Sequence, residues 1–394
     1  MTWTTPPRTA DARAIHEAAE ADRRDRPERY AFDVARVEER AGAGAGGPGL
    51  AAYLGSAAED GRLNAVGART AVDTAVAKLR AGLRLAGPQA GPIAPPIVIV
   101  GGWRTGTTFL FRLLATDPRL RAPLPAELTA PWRFTGIPAE EREARLDAAA
   151  GAHQGLHLLN PALASVHDSG ARLPEECVLA MGTSFKSWGF SSTMRLESYS
   201  AWLAAQDLAD EYASYRSVLG LLDDGDGRRW VLKAPAHTAE LPHLARTFPG
   251  AVVVFLHRDI VETVASGASL FATFRATYSD EVDGVDVGRF QADQTERWLR
   301  RAAAFRASAD AGLVTVVDVD YPDLVADPVA VVGRIWAAAG IEPLPDPAGW
   351  VAAHHAAQPR HGKGTHRYAP EDFGLDPPAL RERFAFVDHA PRAG

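Results

Sequence analysis

"IVIVGGWRTGTTFLFRLL", Ile97–Leu114, is the stretch whose reading decides the fold. Ile97–Val100 is a short apolar run of the kind that forms a buried strand. Gly101 and Gly102 then permit a tight turn, and Leu110, Leu113 and Leu114 repeat at helical spacing. The predicted helix starts near Thr107 and stops at "TDP", 116–118. Backbone N–H groups at such a helix start point outward and favour a negative charge.

The stretch nearly matches the loop that cradles nucleoside triphosphates: glycine, four free positions, glycine, lysine, then serine or threonine. Gly101 and Gly106 keep the glycine spacing and Thr108 keeps the hydroxyl, but Thr107 stands where the lysine belongs. What the loop offers instead is backbone approach at Gly106, the hydroxyls of Thr105, Thr107 and Thr108, and the Arg104 guanidinium. Magnesium bound to a triphosphate also requires a carboxylate after a second strand. The next strands end in Lys233 and in His257-Arg258, so a compact anion without magnesium fits better.

Outward from the loop, "RRWVLKA" (228–234), "AVVVFLHR" (251–258) and "LVTVVDVDY" (313–321) read as further strands. Helical segments between them predict crossovers, a mainly parallel sheet and an α/β fold. Residues 135–225 contain no strand pattern and read as a helical insertion that forms an acceptor pocket or lid. Residues 1–90 read as an N-terminal helical extension, with Val72, Val76, Leu79 and Leu83 on one helix face; the α/β domain then occupies 91–394.

The 394 residues predict about two to three domains, or one large α/β domain with additions. A content of 46% hydrophobic and 23% charged residues is that of an ordinary globular protein. The formal charge of −7 argues against nucleic acid as the main partner. Cys177 is the sole cysteine, which excludes an internal disulfide and a Cys-rich zinc site. No apolar run approaches the roughly 20 residues that span a bilayer, and the first residues lack a secretory core. These features predict a cytoplasmic protein with no transmembrane segment.

"FLHRDIVETVASGASL", 255–270, supplies a second anion grip. Arg258 ends a strand, Asp259 is suited to cap the next helix, and Ser266 follows the arginine by eight residues. A long guanidinium and a hydroxyl two turns along a helix can converge on one phosphate; in isolation a buried Arg–Asp pair explains Arg258 as well, and a small packing residue explains Ser266.

With these segments in order, the chain resembles the sulfotransferases that use 3′-phosphoadenosine 5′-phosphosulfate (PAPS), above all the bacterial branch with "RSGTT"-type loops. The resemblance rests on "GGWRTGTTFL", "WVLKAPAH", "HRDIVETVASGASL", and "VDYPDLVADP" followed by "HRYAPEDFGL". It implies a P-loop-like three-layer fold. It also implies sulfuryl transfer from PAPS to an alcohol or phenol, with 3′,5′-bisphosphoadenosine (PAP) released and no metal required. Gly102, Thr105, Gly106, Thr107 and Thr108 then belong to the 5′-phosphosulfate loop, Arg104 to the leaving phosphate, and Phe109 to the adenine. Arg258 and Ser266 match the family's 3′-phosphate pair. Arg360, Lys363 and Gly364 in "RHGKG" resemble a further 3′-phosphate segment, from which His361 departs.

Such a reaction needs a base near the sulfur. Glu127, in "APLPAELTAP", and His237, in "LKAPAHTAELP", are the two open choices, and Lys233 points toward the donor from its strand end. Glu175 and Glu176, in "LPEEC", resemble a segment of the bacterial branch, though carboxylates there also suit a helix start. His153, His157, His167 and Asp168 are scattered in the insertion without a compact metal-ligand spacing. Trp132, Trp188, Trp202 and Phe190 hint at an apolar acceptor. A kinase on the related fold, or a nucleotide-binding protein without turnover, are the rival readings.

Overall fold

The computed structural model describes residues 3–44, 46–86, 91, 93–167, 169–358 and 368–387, without the side chains of 152, 153, 164 and 165. Its centre is a five-stranded sheet of β1 (Ile97–Gly101), β2 (Leu120–Arg121), β3 (Arg229–Lys233), β4 (Val252–His257) and β5 (Thr315–Asp320). The order is β2-β3-β1-β4-β5 and every pairing is parallel. Four strands fall where the apolar runs predict them. The fifth, β2, is only two residues long, too short to leave a pattern.

Side chains alternate across a strand, and here both faces are apolar. Ile97, Ile99, Val231, Val252 and Val254 pack with the helices Thr107–Leu114 and Pro328–Ala339. Val98, Val100, Leu232, Val253 and Phe255 share the opposite core with the helices Ile260–Tyr278 and Gly284–Arg306. Covering both faces gives three layers, the P-loop-like architecture.

Among the described residues, four α-helices precede the sheet: Ala10–Asp25, Val34–Ala41, Gly47–Glu59 and Ala65–Leu85. Val72, Val76 and Leu79 of the last are buried in the same core as Phe185 and Tyr199 of the insertion. Leu83, expected on that face, is 52% exposed, while Ala81 and Leu85 on either side of it turn inward. Among the described residues, 135–225 holds helices and no strand. No helix among them is long and apolar enough to cross a membrane.

Candidate active site

β1 lies at the middle of the sheet, where the chain order reverses between its two neighbours. Open parallel sheets bind ligands beyond the strand ends at such a point. The loop Gly101–Gly106 turns there, with φ of 137° at Gly101, 93° at Gly106 and 59° at Arg104. A side chain is rare at a φ of 59°, so the position of Arg104 is held by its surroundings. Arg258 donates from Nη1 to the Arg104 carbonyl at 2.7 Å. Arg104 itself donates from Nη1 to the carbonyl of Val166, at 3.1 Å, in the insertion. Thr238 fixes the start of the loop, accepting from the Gly101 N–H at 3.0 Å.

The two predicted grips are therefore one assembly. The helix Ile260–Tyr278 begins with Asp259 capping the Glu262 N–H at 3.0 Å. It packs so tightly that a Cβ on Gly102 would meet Thr263 at 2.5 Å, and one on Gly267 would meet Trp103 at 2.6 Å. Ser266 is buried on that same helix. Arg258 rests on the face of Tyr321, 4.4 Å from the ring centre, and pairs with Glu262. Tyr321 also bounds Gly106, where a Cβ would come within 3.1 Å of its ring.

The helix Thr107–Leu114 has Gly106 as its N-cap and no side-chain cap. Its first N–H groups are thus open to a ligand, the usual anion site at a helix start. A cleft of about 280 Å³ lies over them, lined by Arg104, Gly106, Thr107, Thr108, Phe109 and Arg258 among others. Thr105 is turned inward and donates to the Gly102 carbonyl at 2.9 Å, so it shapes the loop from below. Phe109 stacks on His355, with ring centres 5.1 Å apart. Arg360, Lys363 and Gly364 lie outside the described residues, as do Asp168 and the His153 side chain.

A second cavity of about 460 Å³ adjoins the first and is mainly apolar. Phe190, Trp132, Phe271 and Phe274 are among its walls; Trp188 and Trp202, also expected at an acceptor pocket, are not. Trp188 is buried, giving its indole N–H to Glu240 at 2.9 Å. Four residues line both cavities: Trp103, His167, Glu176 and Leu270.

Charge is concentrated at that shared wall. Lys233, nearly inaccessible, donates to Glu176 at 2.6 Å and to the Thr108 hydroxyl at 3.4 Å. Burial works against a charged His167, but the Glu175 carboxylate 3.4 Å away and Glu176 raise its pKa above the ordinary value. Burial likewise opposes the Glu175 charge, yet His167 and Lys233 hold its carboxyl well below the usual range. The wall thus carries a histidine whose protonation is favoured by one glutamate, and a second glutamate paired with a lysine.

Neither expected base reaches either cavity. Glu127 is fully buried at the third position of the helix Pro125–Thr129. It accepts from the Leu124 N–H at 2.8 Å and from Arg142 at 2.6 Å, with Arg121 3.7 Å away. Its carboxylate is consumed as a cap and ion pair. His237 is fully buried between Tyr212 and Tyr215, with Nδ1 2.7 Å from the Tyr212 hydroxyl. Burial pushes its pKa down to about 3. The sequence favours a helix-terminal charge for Glu176 over chemistry, although "LPEEC" resembles a segment of the bacterial branch, and it leaves Trp103, Tyr321 and Thr238 unassigned; adjacency to the glycine loop is the signal for Trp103.

A central parallel sheet with a glycine loop at its switch point, opening onto a polar cleft and an apolar cavity, defines the class: a P-loop-like α/β fold lacking the P-loop lysine. The model for the sulfotransferase family matches residues 95–346, and the chain belongs to that family. The omega-hydroxy-beta-dihydromenaquinone-9 sulfotransferase Stf3 of Mycobacterium tuberculosis is 27% identical over 175 residues, as is that of Mycobacterium bovis. Each match spans 42% of this chain and 42% of the relative, less than half the length of either. The crystal structure of sulfotransferase STF1 from Mycobacterium tuberculosis is 27% identical, with a TM-score of 0.71 over 97% of this chain and 100% of that one. STF9 from Mycobacterium avium, 20% identical, shares the fold with a TM-score of 0.72 over 98% of both chains.

Proposed function

We propose that this protein transfers a sulfuryl group from PAPS to the hydroxyl of an apolar, small or lipid-like acceptor. The observation that carries this reading is the pair of cavities, one anion-binding and one apolar, sharing Trp103, His167, Glu176 and Leu270 as a common wall. PAPS, when bound, supplies the sulfuryl group and leaves as PAP. The uncapped amides at Thr107 and Thr108, with Arg104, would hold the 5′ end, and developing charge there is what such donors stabilise. Arg258 and Ser266 would grip the 3′-phosphate, with Arg360, Lys363 and Gly364 as further contacts, and Phe109 would face the adenine. Glu176 is the proposed base: it borders both cavities and would take the acceptor's hydroxyl proton, while Lys233 orients its carboxylate. His167, favoured as an imidazolium, would face the transferring group as a cation rather than as a base. The mycobacterial relatives named for a hydroxylated menaquinone support an apolar alcohol as acceptor.

Purified protein with labelled PAPS and a panel of alcohols and phenols tests the proposal, with PAP binding measured alongside by calorimetry. Labelled product together with submicromolar or micromolar PAP affinity supports it. Tight binding of ATP with magnesium in place of PAP would make the protein a phosphotransferase. PAP binding without turnover on any acceptor would make it a nucleotide-binding protein.

A further inference from the structure

Lys78 is an unexpected occupant of the apolar cavity. It stands on the helix Ala65–Leu85 and lines the same space as Phe190 and Trp132. Its ammonium donates to the carbonyls of Leu179, at 2.7 Å, and Met181, at 2.5 Å. An ammonium has three donors, so one remains. No carboxylate forms an ion pair with Lys78 among the described residues, and Glu211 acts on it only through its field. Burial lowers its pKa to about 8, a sign that the charge is poorly compensated where it sits.

The position of that spare donor relative to Glu176 is set by one short element. Glu176 occupies the N-cap position of the 3₁₀ turn Cys177–Leu179, with no side-chain bond to the turn, and Lys78 holds the carbonyl at its other end. A 3₁₀ turn rises about 2 Å per residue, so roughly 6 Å of backbone separates the carboxylate's residue from the carbonyl that Lys78 binds. Glu176 and Lys78 both line this apolar cavity, which therefore presents an acceptor for a hydroxyl proton and a donor.

We infer that Lys78 determines acceptor specificity, recognising a hydrogen-bond-accepting group such as a carbonyl several ångströms from the hydroxyl that is sulfated. This rests on the second cavity being the acceptor site. An acceptor that is hydrocarbon throughout would leave the third N–H of Lys78 without a partner away from water, which is costly. An acceptor with a carbonyl at that distance satisfies it and is fixed in one orientation, its hydroxyl toward Glu176.

Two probes of similar length separate the cases: methyl 6-hydroxyhexanoate, which carries a carbonyl, and 1-octanol, which does not. Their dissociation constants are measured with the PAP-saturated protein by calorimetry. The wild type should bind the ester about tenfold more tightly, as expected of a hydrogen bond to a charged group. Lys78→Met should remove that preference to within about twofold, weakening the ester relative to octanol, which no longer strands an N–H, while PAP affinity stays near wild type. If Lys78→Met does not fold, Lys78→Gln keeps a donor for the Leu179 carbonyl and should reduce the preference to below about threefold. A wild type without the preference, or a preference that survives both substitutions, overturns the inference. Failure to bind PAP would instead overturn the functional reading beneath it.

Discussion

Glu127 and Glu176 are both glutamates near the N-terminus of a short helical turn, and their surroundings differ. Glu127 is closed in by Arg142 and the Leu124 amide. Glu176 has one oxygen on Lys233 and borders both cavities. Glu176→Gln should lower kcat by about 100-fold or more, the usual worth of a general base, with PAP affinity within about twofold of wild type. Single-turnover assay and calorimetry check both halves, and an undiminished kcat removes Glu176 from the chemistry. His237 makes a different prediction. Its folded pKa of about 3 lies below the ordinary 6.5, so the unfolded chain binds the extra proton. Stability is therefore lost as pH falls from 6.5 toward 3. His237→Asn should show a smaller drop in Tm between about pH 7 and pH 5 than the wild type does, measured by scanning calorimetry. Neither role was legible from residue type. The offset of His237 from its strand is near that of a base, but the 3₁₀ helix Pro235–Glu240 carries it into the core between two tyrosines.

Among elements, the strand–loop–helix unit at 97–114 was fully readable, because apolar runs, glycines and leucine spacing are local signals. The same holds for the strand Val252–His257, which stops one residue before the expected Arg258, and for the Asp259 cap. The insertion was legible as helical but not in its path, since long-range packing decides which of its polar residues face the loop. His167 reaches the shared wall from there. The helix Ile260–Tyr278 presses Thr263 and Gly267 onto the loop, so a nucleotide gripped by Arg258 should feel both ends of the assembly. Arg258→Ala should weaken PAP at least tenfold while changing the affinity for adenosine 5′-phosphosulfate, which lacks the 3′-phosphate, far less. Equal losses for the two ligands, in the same titration, would place the 3′ grip elsewhere.

At the scale of the whole molecule, composition and strand order led to the α/β class, while the place of the first 85 residues could not be read. As sequence they show helical texture and one apolar stripe, at Val72, Val76 and Leu79. Yet Leu50, Tyr53, Val72 and Val76 bury themselves in the same core as the sheet and insertion, and Thr74, Ala77, Lys78 and Ala81 line the apolar cavity. A chain restricted to residues 91–394 should therefore expose this core and be recovered mainly as aggregate. A soluble monomer with wild-type Tm and acceptor binding would show the helices to be dispensable.

The shared wall of the two cavities has a consequence for how the sites communicate. Trp103 belongs to the glycine loop and to the apolar chamber at once, packed on Phe271 and Trp298. Any shift of its indole on filling one chamber is felt as a change of shape in the other. Thermodynamics then demands symmetry: whatever factor nucleotide occupancy adds to or takes from acceptor affinity, acceptor occupancy must return to the nucleotide unchanged.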